Sequence, residues 1–337
     1  MRVDAQPPTA RRHGWPRPQR GLALLAAAGL DVAIGDRSLG GWHPVAIAGQ
    51  MLAAGHERLR PAHPVAQLLG GAGTLAAVAL LAGKAGAWLE ALARGRTRVI
   101  ALASALKPTF AVRQLIAEAL AVASALEAQD LIGARRRLRA LVSRPTADLA
   151  PPLVASAAIE SLAENLADSA IGPWLAFALG GLPAAAIYRV VNTADAMYGY
   201  HGELEWLGKS AAHLDDLLNW LPSRAAALAL LAAAALDLGP RAARQGLRTW
   251  RDDAARTESP NAGRPMAAMA GCLGRRLEKP GHYLLGERYP LPDASDLRRA
   301  ARLTGLAAGL AVVTLAVGLE GAGPRAVIGA SSRRRKR

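Results

Sequence analysis

Long runs of uncharged residues alternate along the chain with stretches rich in arginine. The clearest run, Val65–Gly83, has 19 residues without a charge, close to the roughly 20 that a helix needs to cross about 30 Å of hydrocarbon. The run Ser169–Tyr188 has 20 such residues, and Leu303–Leu319 has 17. This pattern predicts an all-α fold, a polytopic membrane helical bundle with amphipathic and soluble helical segments.

Other apolar runs are shorter or interrupted. Gly21–Leu30 has 10 uncharged residues and is interpreted as a retained first membrane helix. Ala225–Leu236 has 12 uncharged residues. It can span the membrane only together with Leu217–Ser223, and only if Arg224 snorkels or faces the protein interior. Ser169–Tyr188 contains helix breakers, so it is either a clean span or a broken, partly re-entrant helix. The breakers are Pro173, Gly180, Gly181 and Pro183.

The basic stretches constrain topology and domain organisation. They predict a disordered leader over 1–20, a single membrane-embedded helical domain over 21–322 and a basic tail over 323–337. Cytoplasmic loops are expected at 92–168 and 238–302. Five full crossings would place the leader and the tail on opposite sides of the membrane, against the positive-inside rule. An even number, four, avoids this conflict, and either 21–34 or 169–188 then does not cross fully.

Composition narrows the possible partners. The chain has 41 Lys and Arg against 26 Asp and Glu, a net charge of +15, yet basic residues do not alternate with aromatic ones as in nucleic-acid modules. We therefore expect membrane lipid and no nucleic acid as a partner. Leu131, Leu138, Leu141 and Val142 lie near one helix face, with the arginines of 135–139 interleaved. This pattern favours a helix on an anionic membrane surface or a soluble cap, or else a solvated face. Cys272, the single cysteine, is interpreted as a packing residue.

Carboxylates adjoin the apolar run 169–188. Glu160, Glu164 and Asp168 are spaced i, i+4 and i+8, so on a helix they share one face. Like charges at this spacing weaken a helix by roughly 0.2–0.5 kcal/mol per pair. The sequence therefore predicts a positive partner for them: arginine, a divalent metal, or both.

The whole polar set is rich in oxygen ligands. It comprises Asp36, Glu160, Glu164, Asp168, Asp195, Asp215 and Asp216, with Asn165, Asn192, Asn219 and Asn261. Such ligands suit Mg²⁺, which takes one or two carboxylates together with phosphate oxygens. Arg189, Lys209 and Arg264 are candidates for holding phosphates or carboxylates. A P-loop, a Rossmann fingerprint and a zinc motif are not present in the sequence. For any single carboxylate, a helix-packing ion pair stays an alternative.

Several motifs resemble the CobD/CbiB family, the adenosylcobinamide-phosphate synthases of cobalamin biosynthesis. They are ESLAENLAD at 160–168, NTADAMYGY at 192–200, LDDLLNW at 214–220, DVAIGD at 31–36, HPV at 43–45, SRPT at 143–146, SPNAGRPMAAMAG at 259–271 and LEKPGHY at 277–283. The chain departs from the family pattern at Arg37, Pro145, His213 and Arg264. The resemblance covers roughly Gly21 to Leu319.

This resemblance implies an acid–amine ligase of the bacterial inner membrane, with several crossings. Its reaction joins (R)-1-aminopropan-2-ol, or its phosphate, to a propionate of adenosylcobyric acid, with Mg²⁺ and with ATP as co-substrate. The expected partners are the corrinoid, the amine donor, membrane lipid and other membrane enzymes of the cobalamin pathway. Because a carboxylate is a poor electrophile, activation as an acyl phosphate is expected.

Roles follow from the resemblance and the ligand chemistry. Catalytic roles are expected for Glu160, Glu164, Asp195 and His43, and His213 is an alternative proton acceptor. Substrate or phosphate binding is expected for Asp36, Asn165, Asn192, Lys209, Asp216, Asn219 and Asn261. Metal binding is expected for Glu164, Asp168, Asp195 and Asp215. Two other classes stay open: an integral-membrane prenyltransferase that uses Asp-rich magnesium-diphosphate motifs, and a transporter.

Overall fold

The structure, a computed structural model, describes residues 18–35, 43–59, 62–198 and 205–321. This part of the chain is almost entirely helical. The helices are α1 (Pro18–Ile34), α2 (Pro44–Leu59), α3 (Pro64–Leu92), α4 (Arg98–Leu106), α5 (Val112–Glu127), α6 (Leu131–Leu138), α7 (Pro151–Leu166), α8 (Gly172–Tyr198), α9 (Glu205–Leu218), α10 (Trp220–Asp237), α11 (Pro240–Asp253), α12 (Gly263–Leu273) and α13 (Ala294–Gly321). Strands β1 (Leu277–Lys279) and β2 (Tyr283–Leu285) form one antiparallel hairpin. Most of the leader, the tail and Asp36 lie outside the described residues.

The predicted all-α membrane bundle is confirmed. Within the described ranges, five helical segments are long and apolar enough to cross a membrane, by length and composition. They are Pro64–Leu92, Gly95–Glu127, Pro151–Tyr198, Trp220–Asp237 and Ala294–Gly321. Four of them contain the apolar runs identified from the sequence, apart from 21–30. That run lies in α1, whose 17 residues make it shorter than these five. The number of full crossings stays a prediction.

The segment Gly95–Glu127 falls in a region expected to be a basic loop. It consists mainly of α4 and α5, separated by a short turn that contains Lys107 and Pro108. The ammonium of Lys107 lies 3.1 Å from the carboxylate of Asp31 in α1, and both side chains are buried. The second oxygen of Asp31 accepts a hydrogen bond of 2.9 Å from the backbone N–H of Arg113. The ion pair joins α1 to the turn, and the hydrogen bond joins α1 to α5. The ion pair explains how a charged residue fits into a buried turn.

Helix α7 lies at the centre of the bundle. Its residues from Val154 to Ala163 are all buried, and it packs against α5, α12 and α13. The many alanine residues of α7 let these neighbours approach closely, as is typical of helices in lipid. Its polar residues therefore face the protein interior. Cys272 is buried in α12, as expected for a packing residue.

Helix α8 is broken in the apolar run where glycine and proline residues were identified. Gly181 has φ 72° and ψ −160°, a conformation that favours glycine. The N–H of Leu182, released by this break, donates a 3.0 Å hydrogen bond to the carboxylate of Glu90 in α3. Arg20 in α1 lies 3.4 Å from the other oxygen of Glu90. Glu90 thus caps the second half of α8, which carries Arg189, Asn192 and Asp195.

We expect Glu90→Leu to destabilise the protein more than Glu90→Gln. The leucine leaves the buried N–H of Leu182 without an acceptor, which costs about 1–3 kcal/mol, and it also leaves Arg20 without its partner. The glutamine keeps a carbonyl acceptor and loses only the charge. Thermal unfolding of the purified protein in detergent measures both effects. Equal losses in the two variants would show that the cap at Leu182 contributes nothing.

Candidate functional site

Two polar cavities share a wall made by α7, the following turn and α8. The first, here called the arginine cavity, has a volume of about 440 Å³. Its cationic lining residues are Arg144, Arg189 and Lys279. The second, here called the aspartate cavity, has a volume of about 410 Å³. Its lining residues include Glu205, Asp215, Asp216 and Glu258, with Lys209 and His213.

Three carboxylates, those of Glu164, Asp168 and Asp195, line both cavities. None of them forms a hydrogen bond or a salt bridge through its carboxylate with another residue that the structure describes. They lie within electrostatic range of one another and of Asp215. Carboxylates that are partly removed from water and lack a partner are costly. This wall is therefore suited to a cationic ligand, a metal ion or a proton.

A π-helical turn, Ala167–Ile171, connects α7 to α8 and carries Asp168. Such turns are rare and occur often at functional sites. The hydroxyl oxygen of Tyr188 lies 3.3 Å from the backbone carbonyl oxygen of Asp168. A side chain at Gly172 would overlap this hydroxyl, so glycine is required there. The turn keeps Glu164 and Asp168 on the shared wall, as their spacing predicted.

Glu160 differs from these three because its carboxylate is fully engaged. It lies 3.0 Å from a guanidinium nitrogen of Arg144. It also accepts hydrogen bonds from Tyr283 at 2.9 Å and from Ser156 at 2.8 Å. Burial, followed by the nearby Glu160 and Glu164 carboxylates, raises the pKa of Tyr283 well above its usual value, so this hydroxyl stays a donor. Glu160 therefore orients Arg144 toward the arginine cavity.

Asp215, in α9, belongs to a second network. It accepts hydrogen bonds from Asn219 at 2.8 Å and from Asn192 at 3.3 Å. The hydroxyl of Tyr188 donates in turn to the side-chain oxygen of Asn219 at 2.5 Å. Burial raises the pKa of Asp215, and the hydrogen bonds from Asn219 and Asn192 act against this shift. The network fixes α9 against α8 beside the shared wall.

The loop before α12 is attached to the same helix. The side chain of Asn261 donates a 2.7 Å hydrogen bond to the backbone carbonyl of Asp216. Ser259 lies 3.4 Å from the carboxylate of Asp216. Burial raises the pKa of Asp216, while these hydrogen bonds and His213 lower it. The residues of the SPNAG segment thus form one side of the aspartate cavity.

The sequence of the chain is similar to those of known proteins over most of its length. The family described as "CobD/Cbib protein" matches residues 24–312. The chain belongs to the CobD/CbiB family. It is 36% identical over 313 residues to "Cobalamin biosynthesis protein CobD" of Mycobacterium tuberculosis, covering 88% of this chain and 95% of that protein. It is 42% identical over 200 residues to the protein of the same name from Dehalococcoides mccartyi, covering 59% of this chain and 64% of that protein. No solved structure matches.

Most of the residues expected from the CobD/CbiB resemblance converge on the two cavities. Besides the carboxylates, the arginine cavity includes Asn165 and Asn192, and the aspartate cavity includes Lys209, Asn219 and Asn261. His43 is not among the lining residues of either cavity. Its ring nitrogen accepts a 3.3 Å hydrogen bond from the N–H of Val45 at the start of α2. Arg264 bonds the backbone carbonyl of Pro260 at an exposed position.

Four residues that line or adjoin the two cavities were given no role from the sequence. They are Arg144, Tyr188, Lys279 and Tyr283. Arg144, Lys279 and Tyr283 lie in segments that were identified as family motifs, SRPT and LEKPGHY, which was the available signal. The β-hairpin docks onto α7 because the N–H of Glu278 donates a 2.8 Å hydrogen bond to Ser156. This contact brings Tyr283 to Glu160.

The carboxylates of the two cavities are the expected ligands of Mg²⁺. Among the described residues, no group of three or more His, Cys, Asp or Glu side chains is placed to hold a metal ion. An all-protein cage therefore does not fit. The carboxylates of the shared wall fit a magnesium ion bound by one or two of them, with substrate phosphates as the other ligands, which is the usual mode for this ion.

Proposed function

We propose that this chain is an acid–amine ligase of cobalamin biosynthesis. It joins (R)-1-aminopropan-2-ol, or its phosphate, to a propionate of adenosylcobyric acid and uses ATP as co-substrate. Family membership supports the pathway, and the relatives carry the name cobalamin biosynthesis protein. The apolar helices support a multi-pass protein, which we place in the bacterial inner membrane. The reaction itself is supported best by one observation: the carboxylates of Glu164, Asp168 and Asp195, which form no hydrogen bond or salt bridge with a described residue, lie between the arginine cavity and the aspartate cavity.

The guanidinium groups of the arginine cavity suit the activation step. In this step an oxygen of the propionate attacks the terminal phosphorus of ATP, an acyl phosphate forms and ADP leaves. Negative charge is concentrated on the phosphate oxygens. Arg144, held by Glu160, and Arg189 offer guanidinium donors that match phosphate geometry. Cations that are already fixed in position stabilise this charge without reorganisation.

The carboxylate wall suits the second step. The nitrogen of the amine attacks the acyl carbon, the amide bond forms and inorganic phosphate leaves. Before the attack the ammonium must lose a proton, because only the free amine is nucleophilic. Glu164, Asp168 and Asp195 are placed to attract the ammonium and to accept this proton. Holding the amine and the acyl phosphate at one wall also removes the need for a bimolecular encounter, because both groups are already in position.

Magnesium would be held by carboxylates of the shared wall, Glu164, Asp168 and Asp195, with Asp215 beside them. When bound, it supplies neutralisation of phosphate charge. The protein residues then have separate tasks. Arg144 and Arg189 bind and orient phosphate oxygens, Asn192 and Asn219 fix Asp215, and Asp216 carries the SPNAG segment.

Amide formation by purified protein in lipid vesicles tests the proposal. The vesicles receive adenosylcobyric acid, ATP, Mg²⁺ and either aminopropanol or its phosphate, and the corrinoid product is identified by mass spectrometry. We expect an amide with one of the two donors, and ADP in equal amount. Corrinoid uptake without conversion would instead indicate a transporter. Release of diphosphate in a parallel sample that also contains a prenyl diphosphate would indicate a prenyltransferase. Either result without amide would contradict the ligase.

A further inference from the structure

The arginine cavity has a surplus of positive charge once the shared wall is set apart. Its lining includes the cations of Arg144 and Lys279 and one remaining carboxylate, that of Glu160. Glu160 pairs with one terminal nitrogen of Arg144. The other terminal nitrogen is buried and has no hydrogen-bond partner in the described part of the chain. Because a guanidinium has five N–H donors, Arg144 keeps donors for an anion.

Lys279 adds to this surplus. It lies in electrostatic range of Glu164 but forms no salt bridge with any residue in the described ranges. It belongs to β1, which is fixed to α7 through Ser156 and Glu278. A cation on a fixed strand, beside Arg144, provides a second contact for a polyanion. A chain of phosphate groups matches this pair better than a single carboxylate does.

The aspartate cavity has the opposite balance. Apart from the shared wall, its acidic residues are Glu205, Asp215, Asp216 and Glu258, and its one lysine is Lys209. Lys209 lies 3.5 Å from Glu205 in the next turn of α9, so part of its charge is offset. Asp215 has its hydrogen bonds supplied by asparagines. Asp216 contacts its partners only at 3.4 Å through its carboxylate, and a primary ammonium with three donors suits it.

We propose that the two cavities separate the substrates by charge. The phosphate chain of the nucleotide occupies the arginine cavity, and the ammonium of the amine donor occupies the aspartate cavity. This inference rests on the proposed ligase function and assigns each of its small substrates a place. The reacting groups then meet at Glu164, Asp168 and Asp195, since only these acidic side chains line both cavities in the described part of the chain.

Two neutral variants test the assignment by binding, without turnover. Lys279→Gln changes the arginine cavity alone, and Asp216→Asn changes the aspartate cavity alone. The first probe is a non-hydrolysable analogue of adenosine triphosphate with Mg²⁺, and the second is free 1-aminopropan-2-ol. Each is titrated into purified protein in detergent. We expect Lys279→Gln to weaken the nucleotide about tenfold and the amine not at all. Asp216→Asn should weaken the amine about tenfold and leave the nucleotide unchanged.

The control is Asp148→Asn, at an exposed position that lines neither cavity, and it should bind both probes like the natural chain. The assignment is contradicted if both variants weaken the same probe, or if neither variant weakens either probe. These outcomes are separate from the vesicle assay. If an amide forms but the two variants do not each weaken only their own probe, the charge separation alone is overturned. If each variant weakens only its own probe but no amide forms, the ligase function alone is overturned.

Discussion

Replacing Asp195 with asparagine is expected to lower amide formation by about 10²- to 10³-fold, the loss typical of removing one electrostatic contact to a transition state. Asp195 lines both cavities, so its charge acts on the phosphate side and on the amine side. The asparagine has nearly the same shape and removes only the charge. The rate is measured in vesicles at saturating concentrations of all substrates.

The same substitution should not weaken the fold. The carboxylate of Asp195 makes no hydrogen bond or salt bridge with a described residue, and it lies near Asp215, Asp216 and Glu164. Removing one of several like charges relieves repulsion, so thermal unfolding should occur at an equal or higher temperature. Asp148→Asn serves as the control for both measurements. A normal rate in Asp195→Asn would remove this residue from the site, and a lower unfolding temperature would give it a structural role.

Glu160→Ala is expected to have the opposite profile, with a large loss of stability. Glu160 is 5% exposed and accepts from Arg144, Tyr283 and Ser156. Removing one partner of a buried ion pair costs about 3–5 kcal/mol, because the other charge is left without compensation. Asp148→Ala, at an exposed position, is the control and should change stability by no more than about 0.5 kcal/mol.

The double variant Glu160→Ala with Arg144→Ala separates pairing from simple loss of contacts. It removes both charges, so it should be more stable than Glu160→Ala alone, and the double-mutant cycle gives the coupling between the two residues. Denaturation in detergent measures all three variants. If the double variant loses the sum of the two single losses, the ion pair does not account for the effect of Glu160.

The spacing of residues within one helix correctly predicted which of them lie on the same face. Glu164 and Asp168 share a wall, as expected from residues four apart, even though a π-helical turn lies between α7 and α8. The π-helical turn was not predicted from the sequence, since its residues Ala167–Ile171 contain no glycine or proline. The break in α8 was visible as glycine and proline, and its location at Gly181 depends on Glu90, about 90 residues away in the chain.

Long-range partners were beyond sequence reasoning. Glu160 looked like a third member of the acidic face, but Arg144 and Tyr283 reach it from a loop and a hairpin and give it another task. Gly95–Glu127 lies in a stretch predicted to be a basic loop, but its Lys107 is buried. Its buried partner, Asp31, lies in α1. A charge neutralised by a distant residue cannot be recognised from a hydropathy pattern.

The most direct test of the central claim is a single-turnover measurement with enzyme in excess over adenosylcobyric acid. The claim is that the carboxylates shared by the arginine cavity and the aspartate cavity take part in ATP-dependent amide formation. Purified natural chain and Asp195→Asn receive the same ATP, Mg²⁺ and amine donor, and the amide is quantified over time. We expect one amide per corrinoid with the natural chain and a rate at least about 10²-fold lower with the variant. Equal rates for the two proteins, or no amide from the natural chain with either donor, would contradict the account.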